Sequence, residues 1–123
     1  MSITVPPPAP AGRATRTWVD VCPFDDLVRD RGVCALVGGL QVAQFRVAPD
    51  DQLFAIANRD PFSGANVLSR GIVGSKGGTP KVASPMYKQC FDLRTGACLD
   101  DPGVSVPTFA VRRRGPMVQV AVA

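Results

Sequence analysis

Apolar residues recur along this chain in short runs set off by turn residues. No stretch carries the three- and four-residue spacing of a long amphipathic helix. Thr17–Cys22, led by Trp18, Val19 and Val21, predicts a first strand. Val33–Val37 and Leu40–Val47 predict a second and a third, joined by Gly38-Gly39, a pair suited to a tight hairpin. Pro49-Asp50-Asp51 marks a turn, and Gln52–Ala57 predicts the next strand. Further candidates are Gly71–Val73, Lys81–Ala83, Lys88–Leu93, Ala97–Leu99, Ser105–Val111 and Met117–Ala123, the last alternating through Val118, Val120 and Val122. Strands at a spacing of roughly 8–12 residues with turns between them predict an all-β fold, a small antiparallel barrel or sandwich. Residues 58–88 are richer in Gly and Ser and weaker in period. They predict a loop-rich inserted subdomain, and long loops in a compact domain are usually functional.

At 123 residues the chain holds one domain. Pro6, Pro7, Pro8 and Pro10 set off residues 1–14 as an expected Pro-rich, flexible tail, leaving 15–123 for the folded domain. Two absences matter more than the averages. There is no His, and every one of the 10 acidic residues is Asp. Without His there is no Ser-His-Asp or Cys-His nucleophile, no His-ligated zinc or haem, and no true Rieske cluster, which needs two imidazoles on one iron. The formal net charge of +4 suits an acidic partner surface without specifying nucleic acid. The run Arg112-Arg113-Arg114 reads as a solvated turn before the last strand. A free-standing basic barrel that binds single-stranded nucleic acid is the alternative function, and it requires an aromatic-lined face interleaved with Arg. No signal-peptide pattern opens the chain, so a cytoplasmic location and reduced thiols are expected.

The four cysteines, Cys22, Cys34, Cys90 and Cys98, lack any Cys-x-x-Cys pair, and metal binding is disfavoured by that spacing. Cys22 and Cys34 fall in apolar strand runs, where Cys serves as a small hydrophobe. Cys90 and Cys98 flank the turn Arg94-Thr95-Gly96 and could approach one another across a hairpin; packed, reduced thiols are the preferred reading. Gly74-Ser75-Lys76-Gly77 has a Gly-x-x-Gly form but joins two short strands, so it predicts a hairpin turn and not a nucleic-acid clamp. Asp25-Asp26, Asp50-Asp51 and Asp100-Asp101 sit in turn contexts and carry no acid–base role.

Three stretches together resemble the small subunits of assimilatory NAD(P)H-dependent nitrite reductase, a Rieske-like ferredoxin-type family. They are Trp18-Val19-Asp20-Val21-Cys22 with Gly39-Leu40-Gln41-Val42-Ala43; Asn58-Arg59-Asp60-Pro61-Phe62-Ser63-Gly64-Ala65 running on to Gly71; and Val82-Ala83-Ser84-Pro85-Met86-Tyr87-Lys88-Gln89 with Phe91-Asp92-Leu93-Arg94-Thr95-Gly96. The resemblance covers Trp18 to Val122 and implies a Rieske-like barrel whose two loops would hold a cluster through Cys-x-His and Cys-x-x-His. One register puts the first pair at Pro61 and Ser63; the other puts it at Asp60 and Phe62. The second loop offers Ser84 and Tyr87. In either register all four ligands are missing, so no cofactor, metal or catalytic residue is expected in this chain. The resemblance implies a non-catalytic accessory role beside a large catalytic subunit. That subunit would carry FAD, an iron–sulfur cluster and sirohaem and reduce nitrite to ammonium in nitrate assimilation. Phe62, Met86, Tyr87 and hydrogen bonds through Ser63, Ser84 and the Tyr87 hydroxyl are expected to staple the loops in place of iron. Asp60, Pro61, Phe62, Ser63, Ser84, Pro85, Met86, Tyr87 and Lys88 are the expected partner surface, with neither nucleic acid nor membrane as a partner.

Overall fold

The computed structural model describes residues 2–5 and 17–121. Among the described residues ten strands form two sheets. The larger holds β1 (Ser2–Val5), β2 (Trp18–Pro23), β3 (Gly32–Val37), β4 (Leu40–Val47), β5 (Gln52–Ala57), β9 (Thr108–Arg114) and β10 (Met117–Ala121), in the order β1-β3-β4-β5-β9-β10-β2. The smaller is β6 (Ile72–Lys76), β7 (Thr79–Ala83) and β8 (Cys90–Asp92). The first and last strands of the larger sheet lie side by side, so it curls into a nearly closed barrel. This is the all-β barrel that the spacing of apolar runs predicts.

Part of the expected tail is a strand. Ser2–Val5 runs parallel to β3, pairing Ser2 with Cys34 and Val5 with Val37. Residues 6–16, which include all four of its prolines, lie outside the described residues. The excursion from the barrel is also longer than 58–88. Chain leaves β5 at Ala57 and returns at β9, with Ala57 donating its N–H to the Pro107 carbonyl at 2.9 Å. The strand β8 and the turns after it therefore belong to the excursion, because β8 pairs with β7 and the turns bond back to β8.

Two apolar cores result. The barrel interior holds Val21, Phe24, Leu27, Val37, Val42, Ala55, Val118 and Val120 among others. A second core lies between the outer face of the barrel and the small sheet, with Phe45, Ile56, Leu68, Val82, Phe91 and Leu93. Strand β4 feeds both, Val42 inward and Ala43, Phe45 and Val47 outward, because successive strand side chains alternate faces. The Leu68–Arg70 turn can approach β3 this closely at Gly32, where an added Cβ would meet the Ser69 carbonyl oxygen and fall 2.7 Å from the Phe45 ring.

The turns agree with their residues. Gly38 and Gly39 have φ of 58° and 80°, and Gly77 and Gly78 have 58° and 83°, so both hairpins use the positive-φ turns that glycine favours. The Gly-x-x-Gly stretch lies mostly in β6, with only Gly77 in the turn. The arginine run is a correction: Arg112, Arg113 and Arg114 are strand residues of β9. Arg112 stacks on the Trp18 ring at 4.0 Å, and Arg113 and Arg46 stack on the Phe24 ring at 4.0 and 4.2 Å. Each guanidinium thus covers an aromatic face at the barrel wall and does not sit in a solvated turn.

Candidate functional site: two facing loops

The excursion is pinned to the barrel by Asn58, which is 2% exposed. Its Nδ2 donates to Gln41 Oε1 at 3.0 Å, and its Oδ1 accepts the Ser69 N–H at 2.7 Å. From this anchor two loops project with the same backbone. In Asp60–Ala65, the Asp60 N–H donates to the Ala65 carbonyl and the Gly64 N–H to the Asp60 carbonyl, both at 2.8 Å. In Ser84–Gln89, the Ser84 N–H donates to the Gln89 carbonyl at 2.9 Å and the Lys88 N–H to the Ser84 carbonyl at 3.0 Å. The fifth residue of each is left-handed, with φ of 75° at Gly64 and 65° at Lys88. The first side chain of each accepts the amide of the third residue, Phe62 N–H to Asp60 Oδ1 at 2.8 Å and Met86 N–H to Ser84 Oγ at 3.2 Å. Asp92–Ala97 repeats the motif at the end of β8, with Arg94 N–H on Asp92 Oδ1 at 2.8 Å and φ of 78° at Gly96.

This equivalence matches Asp60 to Ser84 and resolves the register in favour of Asp60 and Phe62. Pro61 is exposed, and the Ser63 hydroxyl accepts the Ala65 N–H within its own loop at 3.2 Å. The two equivalent residues face each other. Ser84 Oγ donates to Asp60 Oδ2 at 2.5 Å, with Asp60 0% and Ser84 1% exposed. Among the described residues Asp60 has no cationic partner. Burial pushes its carboxyl up. The Ser84 hydroxyl and the Phe62 and Ser63 amides outweigh that and hold it below its ordinary 3.8. A buried carboxylate is thus stabilised by dipoles alone, and it bridges the two loops.

A cluster of the Rieske type asks these positions for two thiolates and two imidazoles. They offer Asp60, Phe62, Ser84 and Tyr87. Asp60 and Ser84 are already bonded to each other, the Phe62 ring has no lone pair to give, and Tyr87 is 62% exposed. The residues do not fit the group. None of the four cysteines lies in either loop. Cys22 lies in the barrel core, where burial and, secondarily, Asp26 push its thiol up to about 11. Cys90 and Cys98 lie in the excursion, and the cross-strand partner of Cys98 is Phe91, not Cys90.

The staple differs from the expected one. Asp60 and Ser84 are buried and cannot belong to a contact surface. Neither the Tyr87 hydroxyl nor Ser63 bonds across the loops; Asp60 and Ser84 do. Phe62 is half-buried, its ring 6.2 Å from that of Phe91. Pro61, Pro85, Met86, Tyr87 and Lys88 remain exposed at the tip, with Ser63 half-buried beside them. Tyr87 is also the one exposed aromatic side chain among the described residues. Asn58 and Phe91 were not singled out by sequence. A buried Asn where a strand leaves a barrel carries no local pattern, whereas Phe91 could have been taken from its apolar strand run.

Comparison with known proteins agrees with this geometry. The Rieske-like [2Fe-2S] domain family matches residues 17–121. The nitrite reductase (NADH) small subunit of Escherichia coli K12 is 46% identical over 103 residues, which cover 84% of this chain and 95% of that one. A crystal structure of a Mycobacterium tuberculosis protein, assigned as an NADH-dependent nitrite reductase small subunit, is 48% identical with a TM-score of 0.85, covering 89% of this chain and 97% of that one. A stretch of the nitrite reductase [NAD(P)H] large subunit of Klebsiella oxytoca is 41% identical over 98 residues, 80% of this chain but 10% of that one. The chain therefore belongs to the Rieske-like [2Fe-2S] domain family, among the nitrite reductase (NADH) small subunits.

Proposed function

We propose that this chain is a non-catalytic accessory subunit of an NAD(P)H-dependent nitrite reductase and that it works without an iron–sulfur cluster. The observation that carries the reading is the Asp60–Ser84 hydrogen bond, which ties together two loops whose family counterparts are tied by iron. The large catalytic subunit holds FAD, an iron–sulfur cluster and sirohaem and reduces nitrite to ammonium in cytoplasmic nitrate assimilation. This chain presents its tip to that subunit and supports it, and performs no chemistry itself. The stretch matched inside the Klebsiella oxytoca large subunit supports the partnership, because the same domain there shares one polypeptide with the rest of that chain.

The contact surface is the exposed part of the tip, Pro61, Pro85, Met86, Tyr87 and Lys88, flanked by half-buried Phe62 and Ser63. Met86 and Tyr87 are 48% and 62% exposed, and apolar groups gathered at one rigid tip are the usual mark of a covered surface. Co-purification with the large subunit tests this. Met86→Asp and Tyr87→Asp should weaken the complex and lower nitrite reductase activity, and full retention of both would remove the tip from the interface. Chain purified from iron-replete cells should be colourless and EPR-silent after reduction. A reddish-brown protein with an EPR signal would end the cluster-free reading.

A further inference from the structure

The small sheet ends on an open edge. Strand β6 pairs with β7 on one side, and no backbone hydrogen bond to a described residue is formed on the other. The two-residue Gly77-Gly78 turn makes Lys76 and Thr79 a hydrogen-bonded pair, so the pairs Gly74–Lys81 and Ile72–Ala83 are hydrogen-bonded as well. The N–H and C=O groups of Val73 and Ser75 consequently point away from β7. Pro80 opposite Ser75 agrees with this phase, because that position needs no N–H toward β6.

Two pockets that share Asp30 and Val73 lie along this edge. One is lined by Asp30, Arg31, Gly32 and Ser69–Val73, the other by Asp30, Val47–Asp50 and Val73–Ser75. Ile72 in the first is 78% exposed. Val28, in the turn that brings Arg31 to that pocket, is 58% exposed. Arg31, Arg70 and Lys76 make no side-chain hydrogen bond or ion pair with a described residue, while the Asp30 carboxylate is engaged by the Ala48 N–H at 3.1 Å.

We propose that β6 accepts an extended acidic segment of the large subunit as a fourth strand, its carboxylates meeting Arg31, Arg70 and Lys76 and its apolar side chains covering Ile72 and Val28. The inference rests on the accessory-subunit reading and names a second contact, distinct from the loop tip. Open edges are completed by added strands, and the unpaired cations select an acidic one. A second copy of this chain would bring the same three cations against each other.

The test is quenched amide exchange of the full-length, 15N-labelled chain, alone and with unlabelled large subunit. Exchange at Val73 and Ser75 should slow by about tenfold or more in the complex, while Ile72, Gly74 and Lys76, already bonded to β7, change little. That alternation distinguishes an added strand from general coverage. Ser75→Pro removes one outward donor and leaves the β7 pairing intact, and it should weaken the complex by about tenfold. If the variant fails to fold, the exchange pattern in the unmodified chain decides. A complex in which Val73 and Ser75 exchange as in the free chain overturns the inference and leaves the accessory reading standing. Failure to form any complex overturns both.

Discussion

The barrel and the loop tip are held together by different forces. The barrel owes its stability to apolar area: Val37, Val42, Val118 and Val120 are fully buried, and interchangeable aliphatic residues would serve there. The tip has little apolar area to bury. It depends on a buried carboxylate, a hydroxyl, and backbone amides aimed at them. A hydrophobic core tolerates substitution by volume, whereas a polar staple tolerates almost none, because each removed partner leaves another group unpaired.

That contrast can be broken or sharpened by measurement. The largest expected effect is at Phe45, which joins the regions. Phe45→Ala should cost about 3–5 kcal/mol in urea unfolding, with barrel and excursion lost in one transition; separate transitions would show two independent units. Next is the staple itself. Asp60→Ala strands the Ser84 hydroxyl and the Phe62 amide and should cost about 2–3 kcal/mol, while Asp60→Asn, which keeps an acceptor, should cost less. Equal losses for the two would mean the site is held by packing and not by hydrogen bonding.

A smaller effect is expected with pH. The Asp60 carboxyl lies below its ordinary 3.8 in the folded chain, so its contribution is fully present above that value and is lost as pH falls through the folded value. The Asp51 carboxyl, accepting from Arg29 and Arg46, is displaced the same way, so the acid limb of stability holds both. Subtracting the Asp60→Asn acid limb from that of the unmodified chain should leave a residual loss belonging to Asp60, and coincident limbs would refute its assignment as a stabilising carboxylate. The smallest effect is at the exposed rim. Tyr87→Ala should change unfolding stability by no more than about 0.5 kcal/mol, because the ring is mostly in solvent and makes no hydrogen bond to a described residue. A larger loss would place Tyr87 inside the staple.

Much of this was legible in residue order. Strands β4 and β5 have the bounds that apolar runs and turn residues predict, and the Gly38-Gly39 hairpin falls where expected, whereas Gly74, Ser75 and Lys76 extend strand β6 and leave the second turn to Gly77-Gly78. The absence of thiolate and imidazole from the loops could be read directly, since no histidine exists and no cysteine falls in either loop. Of the staple only Ser84 is expected from the sequence as a hydrogen-bonding link; its partner Asp60 is not. Asp60 and Ser84 are 24 residues apart, and each has an ordinary local role in accepting an amide from its own loop. Both therefore read as surface residues, and only the approach of the loops buries them. The arginine run differs for a similar reason: three consecutive charges look solvated until β2 and the turn after it bring Trp18 and Phe24 beneath two of them.

Residue types along the chain determined the all-β class, the turns, and the loss of ligating side chains, because strand period, glycine conformation and donor chemistry are local properties. Tertiary structure alone decided which loop positions are equivalent, which carboxylate is buried, and which strand edge is left open. Each of those is set by what the fold places opposite a residue, and no spacing in the sequence encodes it.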